Sequence, residues 1–158
     1  MNIIIRKMTL DDIDRVIEID RMSFSLPWPE RSFRFELTDN PASRCWVAEL
    51  DGKLVGMVVA WLIVDEVHVA TIATHPDFRR QGIAKRLLSY TLRELRNEGA
   101  QSSFLEVRAS NYGAQDMYRK FGYEESGIRP RYYKDNDEDA LLMTLESLDV
   151  ERLEDQEA

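Results

Sequence analysis

One cysteine and two histidines are all that the 158 residues hold of the softer metal ligands. Cys45 alone can form neither an internal disulfide nor a cysteine zinc cluster, and His68 and His75 are too few for a metal site, so no metal is expected in the chemistry. Long apolar runs are missing as well. The longest mostly apolar stretch, Leu54 to Val64, falls well short of the roughly 20 residues a membrane-spanning helix needs. The opening residues MNIIIRKM lack a signal-peptide layout. A cytoplasmic protein without a membrane partner is expected. Basic residues are in the minority, 21 against 29 acidic, for a formal charge of −8. That balance argues against direct nucleic-acid binding and favours a cationic partner.

What is present suits one compact domain, with 44% hydrophobic residues and no linker-like composition. Acidic residues gather in Asp135-Asn136-Asp137-Glu138-Asp139 and in the segment from Glu146 to Ala158. The expected organisation is a domain over 1–146 and an acidic tail over 147–158, the only part open to disorder. Against this background Arg79, Arg80, Lys85 and Arg86 form a basic island. They surround Gly82 just before an amphipathic helix, where a flexible turn and unpaired N–H groups would suit a phosphate-bearing ligand. A solvated helix start with ordinary surface charge reads the same way.

The pattern predicts an alternating α/β chain. Asn2 to Met8 is a strand, and Thr9 to Asp12 opens a helix with Ile13, Val16 and Ile17 on its apolar face, ending near Ser23. Leu26-Pro27-Trp28-Pro29 breaks the pattern before a short helix from Pro29 to Leu37. Arg44 to Leu50 and Lys53 to Val64 form a hairpin around Asp51-Gly52, and the second strand is apolar on both faces. Glu66 to Thr74 is a further strand. A helix follows from Gly82 to Glu98, then a strand from Phe104 to Ala109. Ser110-Asn111 caps a helix bearing Ala114, Met117, Tyr118 and Phe121, which Gly122 ends. The last strand lies near Leu141 to Leu145.

Arg79-x-x-Gly82-x-Ala84 matches the Q/R-x-x-G-x-G/A motif, preceded by Thr71-Ile72-Ala73-Thr74-His75-Pro76. A second block reads LEVRASN from Leu105, followed by Tyr118 and Phe121-Gly122-Tyr123. Arg129-x-Arg131-Tyr132-Tyr133 and Glu138-Asp139-Ala140 complete the set. From about Ile3 to Leu145 the chain resembles the GNAT acetyltransferase superfamily, and within it the bacterial ribosomal-protein alanine N-acetyltransferases, the RimI branch.

The resemblance implies a GNAT fold, an α/β architecture with a central mixed, mostly antiparallel twisted sheet flanked by helices. It implies acetyl-CoA as cosubstrate. The backbone of Ile72, Ala73 and Thr74 would hold the pantetheine arm; Arg79, Arg80, Gln81, Gly82, Ile83, Ala84 and Lys85 would form the diphosphate cradle; Asn111 would touch the cofactor. Ala84 stands where glycine is commoner and leaves less room at the turn.

By the same resemblance Glu106 is the general base and Tyr118 the general acid. An N-terminal amine with a pKa of about 7.7 to 8.0 is already partly neutral, so a modest base suffices, and an ordinary phenol could protonate a thiolate. Each residue has a plainer reading: Glu106 as a strand carboxylate paired with Arg108 on the same face, and Tyr118 as a core aromatic. His68 shares a strand face with Glu66 and corresponds to a histidine of some NatA-type enzymes, which makes it a second base candidate. His75 precedes a proline and reads as incidental; Cys45 reads as buried, not as an acyl carrier. Backbone N–H groups near Ile72 to Thr74 could polarise the thioester carbonyl. Pro27-Trp28-Pro29 and Tyr132-Tyr133 would flank the acceptor, and the acids after Lys134 could attract an arginine-rich segment behind it.

The expected reaction is direct acetyl transfer to the N-terminal alanine of a basic protein, small-subunit ribosomal protein eighteen. Broader NatA-like, lysine or small-amine acetylation is the rival among enzymes. A noncatalytic acyl-CoA-binding module is the rival of another class.

Overall fold

Apolar side chains on both faces make Lys53–Ile63 the centre of the molecule: its interior positions are buried without alternation, as a strand covered on both sides requires. In the computed structural model, which describes residues 2–149 and 152–153, seven strands form one sheet. They are β1 (Ile3–Lys7), β2 (Ser43–Leu50), β3 (Lys53–Ile63), β4 (Glu66–Thr74), β5 (Ser102–Arg108), β6 (Glu124–Tyr133) and β7 (Glu138–Leu145). Their order is β1-β2-β3-β4-β5-β7-β6. Only β4 and β5 run parallel; the other neighbours are antiparallel. This is the mixed, mostly antiparallel sheet expected.

Helices cover both faces. Against one lie α1 (Ile13–Ser23) and α2 (Glu30–Thr38), burying Ile13, Val16, Ile19 and Phe33 on Val47, Met57 and Val59. Against the other lie α3 (Ile83–Asn97) and α4 (Tyr112–Phe121), burying Leu87, Leu88, Leu92, Leu95 and Phe121 on Val55, Val58, Leu105 and Val107. Gly56 in β3 permits this closeness, since a Cβ there would stand 2.9 Å from Ile83 Cγ2 and 3.0 Å from Leu87 Cδ1.

One irregularity positions the site. β4 and β5 pair only through Glu66↔Ser102, Val67↔Ser103 and His68↔Phe104. Beyond His68, β4 keeps its β3 partner alone, and Ala70 is an extra residue between Val59↔Thr71 and Ala60↔Val69. β5 continues against β7. The wedge between the parted strands leaves alternate N–H and C=O groups of β4 without a strand neighbour, where the bulge adds local bending.

Three features differ from the sequence expectation. β6 was not foreseen, because it is a mostly exposed edge strand with no apolar alternation, interrupted by Pro130 and by Arg131 at φ 52°. β7 starts at Glu138 rather than near Leu141. Apolar packing also continues past residue 146, since Leu148 and Leu153 are buried in the α3-side core. Residues 150–151 and 154–158 of the expected acidic tail lie outside the described residues.

Candidate active site

Period-two alternation on β5 buries Leu105 and Val107 and turns Phe104, Glu106 and Arg108 to the α1–α2 face. The same face of β3 and β4 carries Trp61 and His68, which are register partners. Where the strands part, these side chains meet. His68 Nε2 is 2.8 Å from Glu106 Oε2, and Arg129 Nε of β6 is 3.5 Å from Oε1. The His68 ring stacks on Phe104 at 4.5 Å and meets the Trp61 ring edge-on at 5.0 Å.

This surround fixes the charge state of the carboxyl. The hydrogen bond from His68 holds Glu106 below the ordinary glutamate range, against the opposing effect of burial, with the charges of His68 and Arg129 adding to it. An ionised carboxylate only accepts, so His68 Nε2 carries the proton between them and Nδ1 is the other nitrogen of the ring. Arg108 is not the partner of Glu106. It reaches away to Asp135 at 3.0 Å, Glu138 at 3.2 Å and the Ser25 hydroxyl at 3.3 Å, with its guanidinium 4.0 Å from the Tyr133 ring centre.

That network ties down part of the acidic loop. Asp135 and Glu138 are engaged by Arg108, and Asp135 also accepts from Ser25, so the loop is tied to the turn after α1. Ser110, through its hydroxyl and N–H, and then Arg108 bring the Glu138 carboxyl down to about 2. Asp135 and Glu138 therefore share one guanidinium and together keep a net negative charge.

Tyr118 lies in the α3–α4 core, 6% exposed, with its ring 5.7 Å from Tyr123. Burial, reinforced by Tyr133, pushes its hydroxyl well above the ordinary phenol range. It is more strongly perturbed than expected, and stays a protonated donor at any working pH. Tyr133 packs under Arg108 and is pushed up to about 12, mainly by burial, while Glu106 faces the α1–α2 side of the sheet and Tyr118 lies on the α3–α4 side.

At the far end of the wedge, α3 begins at Gly82, whose φ of 79° lies in the left-handed region, and no side chain caps the helix. Arg80 also has a positive φ, 63°. Two left-handed residues flanking Gln81 precede the N–H groups of Ile83, Ala84 and Lys85, which have no carbonyl four residues back within the helix. Nothing lies within 4 Å of a Cβ built on Gly82, so backbone conformation, not crowding, calls for glycine there. Arg79 turns back, donating from Nε to the Thr74 carbonyl at 3.2 Å and from Nη2 to Ser23 Oγ at 3.2 Å. Thr74 Oγ1 is buried with no hydrogen-bond partner among the described residues. Ile72 and Ala73 border the wedge on β4, and Asn111 caps α4 by accepting from Ala114 N–H at 3.2 Å. An open strand edge, an orphaned hydroxyl and an uncapped helix tip in series suit a long ligand that ends in a diphosphate.

The remaining candidates are structural. His75 is buried, and its Nδ1 accepts from Asp77 N–H at 3.1 Å. Cys45 is buried and its thiol is pushed up to about 11 by that burial, so it offers no thiolate. Arg129, Trp61 and Phe104 were given no role from sequence. Arg129 stood within a quoted motif, while the two aromatics looked like ordinary strand residues.

Comparison with known proteins bears on the fold and the family. A Bacillus subtilis (strain 168) protein provisionally named as a [ribosomal protein bS18]-alanine N-acetyltransferase is 42% identical over 139 residues, 88% of this chain and 92% of its own. The Escherichia coli (strain K12) [ribosomal protein bS18]-alanine N-acetyltransferase is 32% identical over 152 residues, 89% of this chain and 95% of its own. The crystal structure of the ribosomal-protein-S18-alanine N-acetyltransferase from Escherichia coli superposes with a TM-score of 0.84 at 30% identity, covering 91% of this chain and 93% of that one. The model of the acetyltransferase (GNAT) family matches residues 13–123, and the chain belongs to that family.

Proposed function

We propose that this enzyme moves an acetyl group from acetyl-CoA to the α-amino group of an N-terminal alanine, and that its acceptor is the small-subunit ribosomal protein bS18. The observation that carries the reading is Glu106, held as a carboxylate between His68 and Arg129 at the mouth of the β4–β5 wedge.

The residues divide the work in order. Backbone along Ile72 to Thr74 offers hydrogen-bonding groups to the pantetheine amides, while Arg80 to Lys85 meet the diphosphate with N–H groups, a helix dipole and cationic side chains. Asn111, which caps α4, and Arg79, bonded to the Thr74 carbonyl, would contact the cofactor beside them. Glu106 accepts the proton that the amine loses as its nitrogen bonds to the acyl carbon, directly or through one water. N–H groups of the bulged β4 segment face the negative charge that gathers on the carbonyl oxygen. As the carbon–sulfur bond breaks, the Tyr118 hydroxyl, kept protonated by its burial, donates a hydrogen bond that stabilises the departing thiolate. No covalent acyl-enzyme is needed.

His68, which matches a histidine of some NatA-type enzymes and is bonded to Glu106, motivates a second reading, in which the range of protein N-termini is broader than one ribosomal protein. Mass spectrometry of the proteome of a deletion strain separates the two. Loss of acetylation confined to the alanine terminus of bS18 supports the narrow reading, and loss across many termini the broad one. An unchanged proteome would overturn both.

A further inference from the structure

Beside the reaction centre lies a cleft of about 470 Å³ walled by Trp28, Phe35 and Trp61, with Glu36 on its lining. We propose that it is a subsite for a cationic side chain of the acceptor peptide, near but not at its amino terminus; this rests on the reading that the acceptor is a protein N-terminus.

Three observations lead there. Glu36 is 8% exposed, and its two hydrogen bonds, from Trp61 Nε1 at 2.9 Å and Asn40 Nδ2 at 2.8 Å, both fall on Oε2. Both donors are neutral, and among the described residues Glu36 has no salt bridge. Oε1 takes part in neither bond, and a cation entering the cleft would pair with it. The walls are three aromatic rings, whose faces attract a guanidinium or ammonium group and whose edges exclude water from it. Arg31, the cation that also lines the cleft, is exposed.

The third observation is continuity. Trp61, which forms one wall and donates to Glu36, touches the His68 ring at 5.0 Å, and His68 is bonded to Glu106. The cleft thus opens on the order of 10 Å from the base, a reach of about two to four residues for an extended peptide at about 3.4 Å per residue. Asp135 and Glu138, on the other side of the acceptor path, are already paired with Arg108. Glu36, by contrast, has two neutral donors and no cation among the described residues.

The test uses Ala-initiated hexapeptides with a single arginine at position two, three or four, each matched by a peptide with citrulline, which keeps the shape and removes the charge. At one of these positions the arginine peptide has a KM about tenfold below its citrulline partner, with kcat within twofold. In Glu36→Gln, and separately in Phe35→Ala, that ratio falls to within twofold of one. A wild-type ratio near one at all three positions, a preference for glutamate there, or a ratio that survives both variants overturns the proposal. The same peptides with acetylated amines, which cannot react, are titrated while the Trp61 indole N–H resonance is followed. A shift that depends on arginine and vanishes in Glu36→Gln supports the subsite even if no peptide is acetylated, in which case the proposed function alone fails. No shift at any position overturns the subsite. Thermal midpoints close to wild type confirm that both variants are folded.

Discussion

His68 Nε2 and Glu106 Oε2, 2.8 Å apart, form the bond that sets the charge state of the proposed base. It is the largest influence holding Glu106 below the 4.5 of a free glutamate, and it works against burial. In His68→Ala burial remains and the bond is gone, so the carboxyl titrates higher. With ¹³C-labelled glutamate, the Glu106 midpoint lies below 4.5 in the wild type and moves up in the variant; an unchanged midpoint would discard this account. Because the folded pKa is the depressed one, the bond's contribution to stability is present above pH 4.5 and is lost as pH falls through the folded value. Glu106→Gln and Tyr118→Phe each lower kcat by roughly a hundred- to ten-thousand-fold while acetyl-CoA affinity stays near wild type. Turnover at the wild-type rate in either would remove that residue from the scheme.

The diphosphate cradle makes a different demand. Gly82 has open space around its Cβ position but a φ of 79°, so a substitution there meets backbone strain rather than a clash. Gly82→Ala therefore costs about 1–2 kcal/mol in the turn and weakens acetyl-CoA binding by about tenfold. Gly82→Asn, which tolerates the left-handed region better, loses less. Calorimetric titration with acetyl-CoA reads both, and equal affinity for wild type and Gly82→Ala would show that the turn does not hold the ligand.

Asp20 carries a stability that depends on pH. It is fully buried in α1; Oδ2 accepts the Trp28 backbone N–H at 2.7 Å, and Oδ1 has no partner among the described residues. Burial pushes its carboxyl from 3.8 up to about 6. A raised folded pKa means that the stabilisation by proton binding is complete below 3.8 and is lost as pH rises through about 6. Asp20→Asn mimics the protonated form at every pH. Its thermal midpoint should match the wild type near pH 4 and exceed it at pH 7.5, where ionised Asp20 costs about 2–3 kcal/mol. A constant offset between the two melting curves would rule out Asp20 as the titrating group.

Legibility followed the physics of each element. The strand β4 could be placed to the residue and α3 to within one at each end, because alternation and helical spacing on buried elements are strong signals. β6 carries no such signal: it pairs by backbone at an exposed edge, and its side chains are free to be Glu, Arg or Pro. Glu106 and Tyr118 were readable as family positions, whereas the partner of Glu106 was not. Arg108, two residues along the same face, is the nearer cation in sequence, and it was displaced by His68 because only the β4–β5 register brings His68 opposite Phe104. The same limit hid the aromatic cleft, whose walls come from the loop after α1, from α2 and from β3.

Gly56 links the core to the cradle. An added methyl would stand 2.9 Å from Ile83 Cγ2 and 3.0 Å from Leu87 Cδ1, closer than side chains pack, and both belong to the first turns of α3. Ile83 is fully buried and follows Gly82 directly, so it has little room to yield without moving the helix tip. Gly56→Ala should thus do two things that a core substitution far from the wedge would not. It lowers stability by about 1–3 kcal/mol through overpacking, and it raises the Kd for acetyl-CoA by shifting the N–H groups of the cradle. Gly56→Ala combined with Ile83→Ala, which takes away the Cγ2 methyl that the new Cβ would meet, costs less than the sum of the two single changes. Measuring thermal midpoint and Kd on the single and double variants separates the outcomes: a loss smaller than that sum in stability but not in affinity would mean that the position of the α3 tip does not set how tightly the diphosphate is held.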